Sequence, residues 1–163
     1  MNPADVLMYG HQHVLRTLDG LDFAHWETGG VCGVWSVKNI VSHLASYEHL
    51  FVEILSAFAG EETSKTYLDH MLNGGGAAFN DDEVDARRGL SPAEALTEYG
   101  TAYAKVATLA GKIAPETWRE NGTLPWYGDP YSLEDYIVYQ FYGHKREHCA
   151  QINVFRDALQ DGV

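Results

Sequence analysis

Cysteine, basic residues and long apolar runs are all scarce in this 163-residue sequence. The two cysteines, Cys32 and Cys149, are too few for a disulfide scaffold, so we expect free thiols in a reducing compartment. No stretch approaches the roughly 18 consecutive apolar residues of a membrane span. The first residues also lack the basic and apolar regions of a signal peptide. We therefore expect a cytoplasmic protein with no membrane partner.

Acidic residues outnumber basic residues about two to one. The chain has 11 Lys and Arg residues against 23 Asp and Glu residues, which gives a net charge of −12 with neutral histidine. A surface this negative repels phosphate backbones, so no nucleic acid partner is expected. Apolar residues make up 45% of the chain and charged residues 21%, which is ordinary for a globular protein. The length favours a single domain, residues 1–163, with a full hydrophobic core.

Four segments have apolar residues at the three- and four-residue spacing of amphipathic helices, and each begins with an N-terminal signal. The predicted helices span residues 3–20, 36–59, 92–113 and 132–160. The third has the strongest start, because Ser91 and Glu94 form a capping box around Pro92. The pattern predicts an all-α fold, a four-helix bundle with a long crossover between helices 2 and 3.

The crossover, residues 60–91, contains three consecutive glycines at 74–76. No strand pattern precedes them and no Gly-Lys-Ser/Thr follows, so we interpret them as a flexible connection rather than a phosphate-binding loop. Within this mainly irregular segment the sequence predicts one short helix, at 67–72. A connection of this length usually crosses a bundle or covers a site.

Polar residues interrupt the apolar face of the last predicted helix. In an α-helical projection, this face consists of Leu133, Ile137, Gln140, His144, His148, Gln151 and Phe155. Burying four polar side chains is costly, so we expect them to line a cavity. On the second helix, His43 also lies within the apolar stripe.

His144 and His148 are four residues apart, which brings two imidazoles within reach of one metal ion. Alone this pair is a weak signal, because two hydrogen-bonded core histidines are commoner. His43, a third inward histidine, makes metal binding the better interpretation. Three neutral imidazoles leave a coordination position open, which is typical of catalytic sites. Because only neutral imidazole binds, we expect metal occupancy to fall as the pH drops through about 6.5.

Two segments resemble motifs of the DinB/YfiT-like superfamily of four-helix-bundle metalloproteins. They are WSVKNIVSHL at residues 35–44 and GHKREHCAQI at residues 143–152. The resemblance implies that His43, His144 and His148 bind a divalent metal, commonly zinc or nickel. Members with assigned activity include transferases and isomerases that use the low-molecular-weight thiols bacillithiol or mycothiol. Relatives also include self-resistance proteins that act without a recognised metal.

Further residues are expected around this metal. Gln140 and Gln151 are candidates to hydrogen-bond a substrate or a metal-bound water, and Glu147 is a candidate to support a metal ligand or to act as an acid or base, with no catalytic residue assigned. Three aromatic residues are candidates for substrate binding: Tyr47, Trp126 and Tyr127. Structural hydrogen bonds and core packing are the respective alternatives.

Other polar residues carry weaker signals. We expect His49 to be a solvated surface residue and His11 to be a hydrogen-bonded core histidine. Glu48 and Glu53 are expected as exposed helix charges. Cys149 points away from the histidine face in the helical projection, so it is not expected as a ligand.

Three functions from different classes stay open. The first is a metal-dependent thiol transferase or hydrolase with a small-molecule substrate. The second is a protein that binds or sequesters a small molecule without turnover. The third is a structural bundle, acting as a homodimer, in which the histidines are incidental. Zinc, nickel, copper and iron all accept imidazole, so ligand type does not identify the metal.

Overall fold

A computed structural model describes residues 1–160 of the chain, and within this range it has seven α-helices and no β-strand. The helices are α1 (Pro3–Leu18), α2 (Val37–Phe58), α3 (Thr66–Ala86), α4 (Pro92–Ala110), α5 (Pro115–Trp118), α6 (Leu133–Tyr136) and α7 (His144–Gln160). A 3-10 turn, Phe23–His25, follows α1, and a π-helical segment, Ile137–Gly143, joins α6 to α7. No helix in residues 1–160 combines the length and apolar character that a membrane span requires. The all-α prediction is confirmed.

Four long helical stretches form the bundle: α1, α2, α4, and α6 continued through the π-helical segment into α7. α2 packs chiefly against α4 and α3, whereas the π-helical segment and α7 pack chiefly against α1. Serines at the predicted starts of three stretches, Ser36, Ser91 and Ser132, each form a capping box. Since these caps are local in sequence, the predicted starts agree with the structure to within one residue.

Two hydrophobic clusters fill the bundle. One contains residues from the C-terminal halves of α2 and α4, such as Phe51 and Val106, together with Phe141. The other contains residues from the N-terminal halves of α2 and α4, such as Ile40 and Tyr99. α2 and α4 therefore run in the same direction, and the crossover between them returns the chain along the bundle.

This crossover is mostly helical, which corrects the expectation of an irregular segment with one short helix at 67–72. α3 occupies most of it and is kinked at Gly75, where φ is 76° and ψ is 164°. Glycine adopts a positive φ at little cost, so the glycine triplet bends the helix there instead of ending it.

Glu53 of α2 caps the N-terminus of α3. Its side chain is buried, which corrects the prediction of an exposed charge. The backbone N–H groups of Tyr67 and Leu68 donate to its carboxylate at 3.2 and 2.9 Å, and the Ser64 hydroxyl donates at 3.0 Å. Lys65 at the N-cap position makes no side-chain cap, so a carboxylate from another helix satisfies these donors.

The π-helical segment was not predicted, and it changes how the last stretch faces the core. An i→i+5 turn contains more residues than an α-helical turn, so α7 is rotated relative to α6. The projection of Leu133 to Phe155 onto one face assumed α-helical geometry throughout and does not hold across this segment. Gly143 ends this segment, and a Cβ there would lie 3.2 Å from the Val138 carbonyl oxygen, closer than an ordinary contact.

We predict opposite effects for two helical glycine substitutions. Gly143→Ala should lower the free energy of unfolding by about 1–3 kcal/mol, because the added Cβ presses on backbone. Gly100→Ala is the matched control: a Cβ there meets nothing within 4 Å, so it should raise the free energy of unfolding by about 0.5–1 kcal/mol. Urea unfolding measures both. Equal stabilisation by the two substitutions would contradict the assignment of Gly143.

We also predict that Glu53→Ala lowers the free energy of unfolding by about 1–3 kcal/mol, because it leaves the donors at the start of α3 without their acceptor. Glu62→Ala, at an exposed position before α3, serves as the control and should change stability little. Thermal unfolding of both variants checks this. A similar small change for both would show that the cap from α2 is unimportant.

Candidate metal centre

Three histidines from α2 and α7 converge in the bundle. The Nε2 atom of His144 lies 2.8 Å from Nε2 of His43 and 3.0 Å from Nε2 of His148. The ligand nitrogens of all three rings lie within 4.8 Å of one another. His43 and His148 are buried, and His144 is half-buried. The structure thus brings together the three residues that the sequence analysis selected as metal ligands.

Hydrogen bonds on the outer side of two rings determine their tautomers. His148 Nδ1 lies 2.8 Å from Gln151 Oε1, which can only accept, so Nδ1 donates. The His144 side chain bonds to the backbone of Gln140, and this bond favours the protonated ring, as a carbonyl acceptor does. We therefore assign hydrogen to Nδ1 in both rings. Their Nε2 lone pairs then face each other.

A cation fits this arrangement. Facing lone pairs of neutral imidazoles repel each other, and a divalent ion between them would turn repulsion into coordination. Nitrogen ligands about 2.0–2.1 Å from a tetrahedral zinc lie roughly 3.3 Å apart, close to the 2.8 and 3.0 Å found here. Within residues 1–160 no carboxylate belongs to the cluster. The donor set is therefore three neutral imidazoles, which suits a divalent ion that keeps a free coordination position.

Burial keeps the three rings neutral. Desolvation, followed by the charges of the other histidines, lowers the pKa of His43 to about 2. Desolvation likewise lowers the pKa of His144 to about 3. Burial also lowers the pKa of His148, although its bond to Gln151 and the charge of Glu147 oppose this. Neutral imidazole is the metal-binding form. Protons should therefore compete with a metal at a lower pH than the ordinary histidine range near 6.5 used in the sequence-based expectation.

Two aromatic side chains flank the histidines. The Tyr47 ring centroid lies 4.8 Å from that of His43 and 4.7 Å from that of His144, and its hydroxyl donates to Asn80 Oδ1 at 3.1 Å. The Trp35 ring centroid lies 4.9 Å from that of His43. Tyr47 was among the predicted site residues. Trp35 was not, although it is the first residue of the segment 35–44 on which the family resemblance rests.

The other predicted site residues have different surroundings. Trp126 and Tyr127 pack against Tyr136, with ring centroids 5.4 and 4.9 Å apart. Trp126 also lines a cavity of about 270 Å³ whose lining includes none of the three histidines. The Gln140 side chain bonds to Tyr127, so this glutamine reaches the histidines through its backbone. Glu147 is exposed. Substrate contact by the two loop aromatics stays a prediction.

Three polar residues outside the cluster have other partners. His49 is half-buried with Nε2 3.0 Å from Glu98 Oε1, which corrects the prediction of a solvated residue. His11 Nδ1 lies 3.2 Å from the Tyr99 hydroxyl, in agreement with a hydrogen-bonded core histidine. Glu48 is fully buried, which corrects the prediction of an exposed charge. A helical projection cannot show its partner, which comes from a distant part of the chain.

Comparison with protein-family models matches residues 7–137 to the mycothiol maleylpyruvate isomerase N-terminal domain. This span is more than half of the chain. It includes His43 and ends before His144 and His148, so the proximity of the three histidines is a finding of the structure alone. Neither the search of curated proteins nor the search of solved structures gives a match.

The lowered pKa values predict how the stability of the metal-free protein depends on pH. Below about pH 6.5 the histidines of the unfolded chain bind protons. His43 and His144 in the fold stay neutral down to about 2 and 3. The unfolded state then binds more protons, so the free energy of unfolding should fall as the pH drops through this range.

Urea unfolding of chelator-treated protein at pH 7 and pH 5 measures this loss. His43→Gln should make the difference between the two pH values smaller, because one buried imidazole is removed. His25→Gln, at an exposed position, should leave the difference unchanged. If His43→Gln behaves like His25→Gln, the buried neutral state of His43 is wrong.

Proposed function

The chain belongs to the family of the mycothiol maleylpyruvate isomerase N-terminal domain, within the DinB-like superfamily, and from this premise we propose that it is a metal-dependent enzyme acting with a low-molecular-weight thiol. His43, His144 and His148 would hold the ion. A divalent ion at this position would lower the pKa of a thiol or water that completes its coordination. The observation that carries the proposal is the convergence of three neutral imidazole nitrogens at a buried position.

Within residues 1–160 no cysteine thiol lies beside the histidines. Cys149 is buried, and burial raises the pKa of its thiol, so the unreactive protonated form dominates. Neither Cys149 nor Cys32 belongs to the histidine cluster. The reacting sulfur would therefore come from a small molecule. Mycothiol, the thiol in the family's name, is the first candidate.

The surrounding residues would orient the site and limit the access of water. Gln151 and the Gln140 backbone hold the rings of His148 and His144 with Nε2 directed inward. Burial raises the pKa of Tyr47, so its phenol stays protonated and donates to Asn80. Tyr47 and Trp35 together supply an aromatic wall beside the histidines.

Glu147 is our candidate to receive the proton that the thiol releases. It is exposed, and its charge acts on the neighbouring His148 ring, so it lies near the histidines and in contact with solvent. A carboxylate in this position can pass the proton to water. Direct transfer to water is the alternative if Glu147→Gln keeps full activity.

The test starts with metal analysis of protein purified without an affinity tag. Protein loaded with zinc or nickel is then incubated with mycothiol, bacillithiol, glutathione or cysteine. Each thiol is combined with maleylpyruvate or with a fluorogenic electrophile, and thiol consumption and isomerisation are measured. We expect turnover with at least one thiol and no turnover after chelation.

His144→Ala should lower kcat/KM by roughly 100-fold or more, because one of three ligands is lost. Cys149→Ser and the exposed-site control His25→Ala should retain activity. Turnover without any thiol would instead indicate a hydrolase. Tight binding of a thiol or electrophile without turnover would indicate a sequestering protein. Full activity of His144→Ala would contradict the proposal.

A further inference from the structure

A buried ion pair connects the two helices that carry the histidines. Glu48 of α2 follows His43 by little more than one turn, and Lys145 of α7 directly follows His144. The carboxylate and the ammonium group are in direct contact, with side-chain exposures of 0% and 3%. No other group within residues 1–160 hydrogen-bonds to either charge. Each charge therefore depends on the other for compensation.

The surroundings of Lys145 are shaped to accept its side chain. Its ammonium nitrogen lies 5.7 Å from the ring centroids of Tyr99, Tyr103 and Phe141, within the range of cation–π attraction. Gly10 of α1 leaves room for the lysine stem, since a Cβ there would lie 3.4 Å from Lys145 Cδ. The lysine thus lies against α1, α4 and the π-helical segment, with its ammonium group on Glu48.

The pair lies where the two hydrophobic clusters meet along α2. Leu44 and Ala45 before Glu48 belong to one cluster, and Leu50 and Phe51 after it belong to the other. The hydrophobic effect has no directional preference, so apolar contacts alone allow helices to slide and repack. A buried charge does not, because loss of its partner leaves the cost of desolvation without compensation.

α2 and α7 have few other contacts that could fix their relative position. α2 packs chiefly against α4 and α3, and α7 chiefly against α1, so their direct packing against each other is slight. A shift of α7 by one residue would move its side chains about 1.5 Å along the axis and about 100° around it. That shift would separate Glu48 from Lys145, and it would also take His144 and His148 away from His43.

We propose that the Glu48–Lys145 pair sets the register of α7 against α2 and thereby holds the three histidine nitrogens at ligand distance. Both are positioning residues, because they act through the helices that carry the histidines. The inference rests on the proposed metal function for its consequence. The register itself can be measured in metal-free protein.

The test removes both charges together. Glu48→Leu/Lys145→Met replaces the pair with apolar groups of similar size, which leaves no single charge buried and should preserve folding. The matched control is Glu98→Leu/Arg87→Met. Arg87 is also buried and contacts Glu98 at 2.9 Å, but neither residue lies on α7.

Two quantities are measured for each variant. The first is the zinc dissociation constant, measured by competition with a chromogenic chelator. The second is the nuclear Overhauser effect between the imidazole protons of His43 and His144 in metal-free protein, whose ring centroids lie 4.8 Å apart. If the pair only stabilised the fold, removing it would lower the thermal stability but leave the zinc dissociation constant and the nuclear Overhauser effect as in wild type.

We expect Glu48→Leu/Lys145→Met to weaken zinc binding at least 10-fold and to lose the His43–His144 effect, with an unfolding midpoint near that of wild type. The control variant should have the wild-type zinc affinity and the His43–His144 nuclear Overhauser effect, even if its thermal stability changes. The exchange Glu48→Lys/Lys145→Glu should recover part of the zinc affinity, because it restores the pair in reverse. If the Leu/Met variant does not fold, Glu48→Gln/Lys145→Gln replaces it with the same expected losses.

Wild-type zinc affinity together with a retained His43–His144 effect in the charge-free variant would overturn the inference. If wild type itself binds no metal, the proposed function fails separately. The register inference is then decided by the nuclear Overhauser effect alone, since its loss in the charge-free variant supports the inference and its retention overturns it.

Discussion

Three neutral imidazoles converge in a buried site, with Nε2 of His144 lying 2.8 Å from that of His43 and 3.0 Å from that of His148, and the surrounding structure is arranged around this electrostatic constraint. Burial keeps the rings of His43 and His144 neutral, and a glutamine side chain and a backbone group direct the hydrogens of the α7 rings outward. Lone pairs so placed are unfavourable without a cation and favourable with one. A metal bound there would stabilise the fold, because the native state alone presents the three nitrogens together.

The features that the sequence predicted are the ones set by local chemistry. The capping boxes at Ser36, Ser91 and Ser132 identified helix starts, because both partners of each box lie within four residues. The spacing of His144 and His148 and the place of His43 in an apolar stripe identified the histidine cluster. One helix turn fixes the relation of His144 to His148, whereas His43 was linked to them by its place in an apolar stripe and by the family resemblance of its segment.

The features that were missed depend on residues far apart in the chain. Glu48 and Glu53 look like exposed charges on α2, but Lys145 and the start of α3 supply partners that no helical projection of α2 can show. The π-helical segment departs from the α-helical period that the projection assumed. The family match ends at residue 137, where this segment begins, so the family and the α7 histidines are separate findings that agree.

The π-helical segment also has an evolutionary consequence. A turn with i→i+5 bonds holds one residue more than an α-helical turn, so the segment can absorb an extra residue while the helices on either side keep their faces. Deleting one residue between 137 and 143 could therefore restore a continuous α-helix and still leave His144 and His148 directed towards α2. A deletion inside α7, where no such segment absorbs it, would instead rotate every downstream side chain by about 100°. In a lineage with this bundle, the histidine cluster would thus survive a change of length in the π-helical segment and be lost by the same change between His144 and His148.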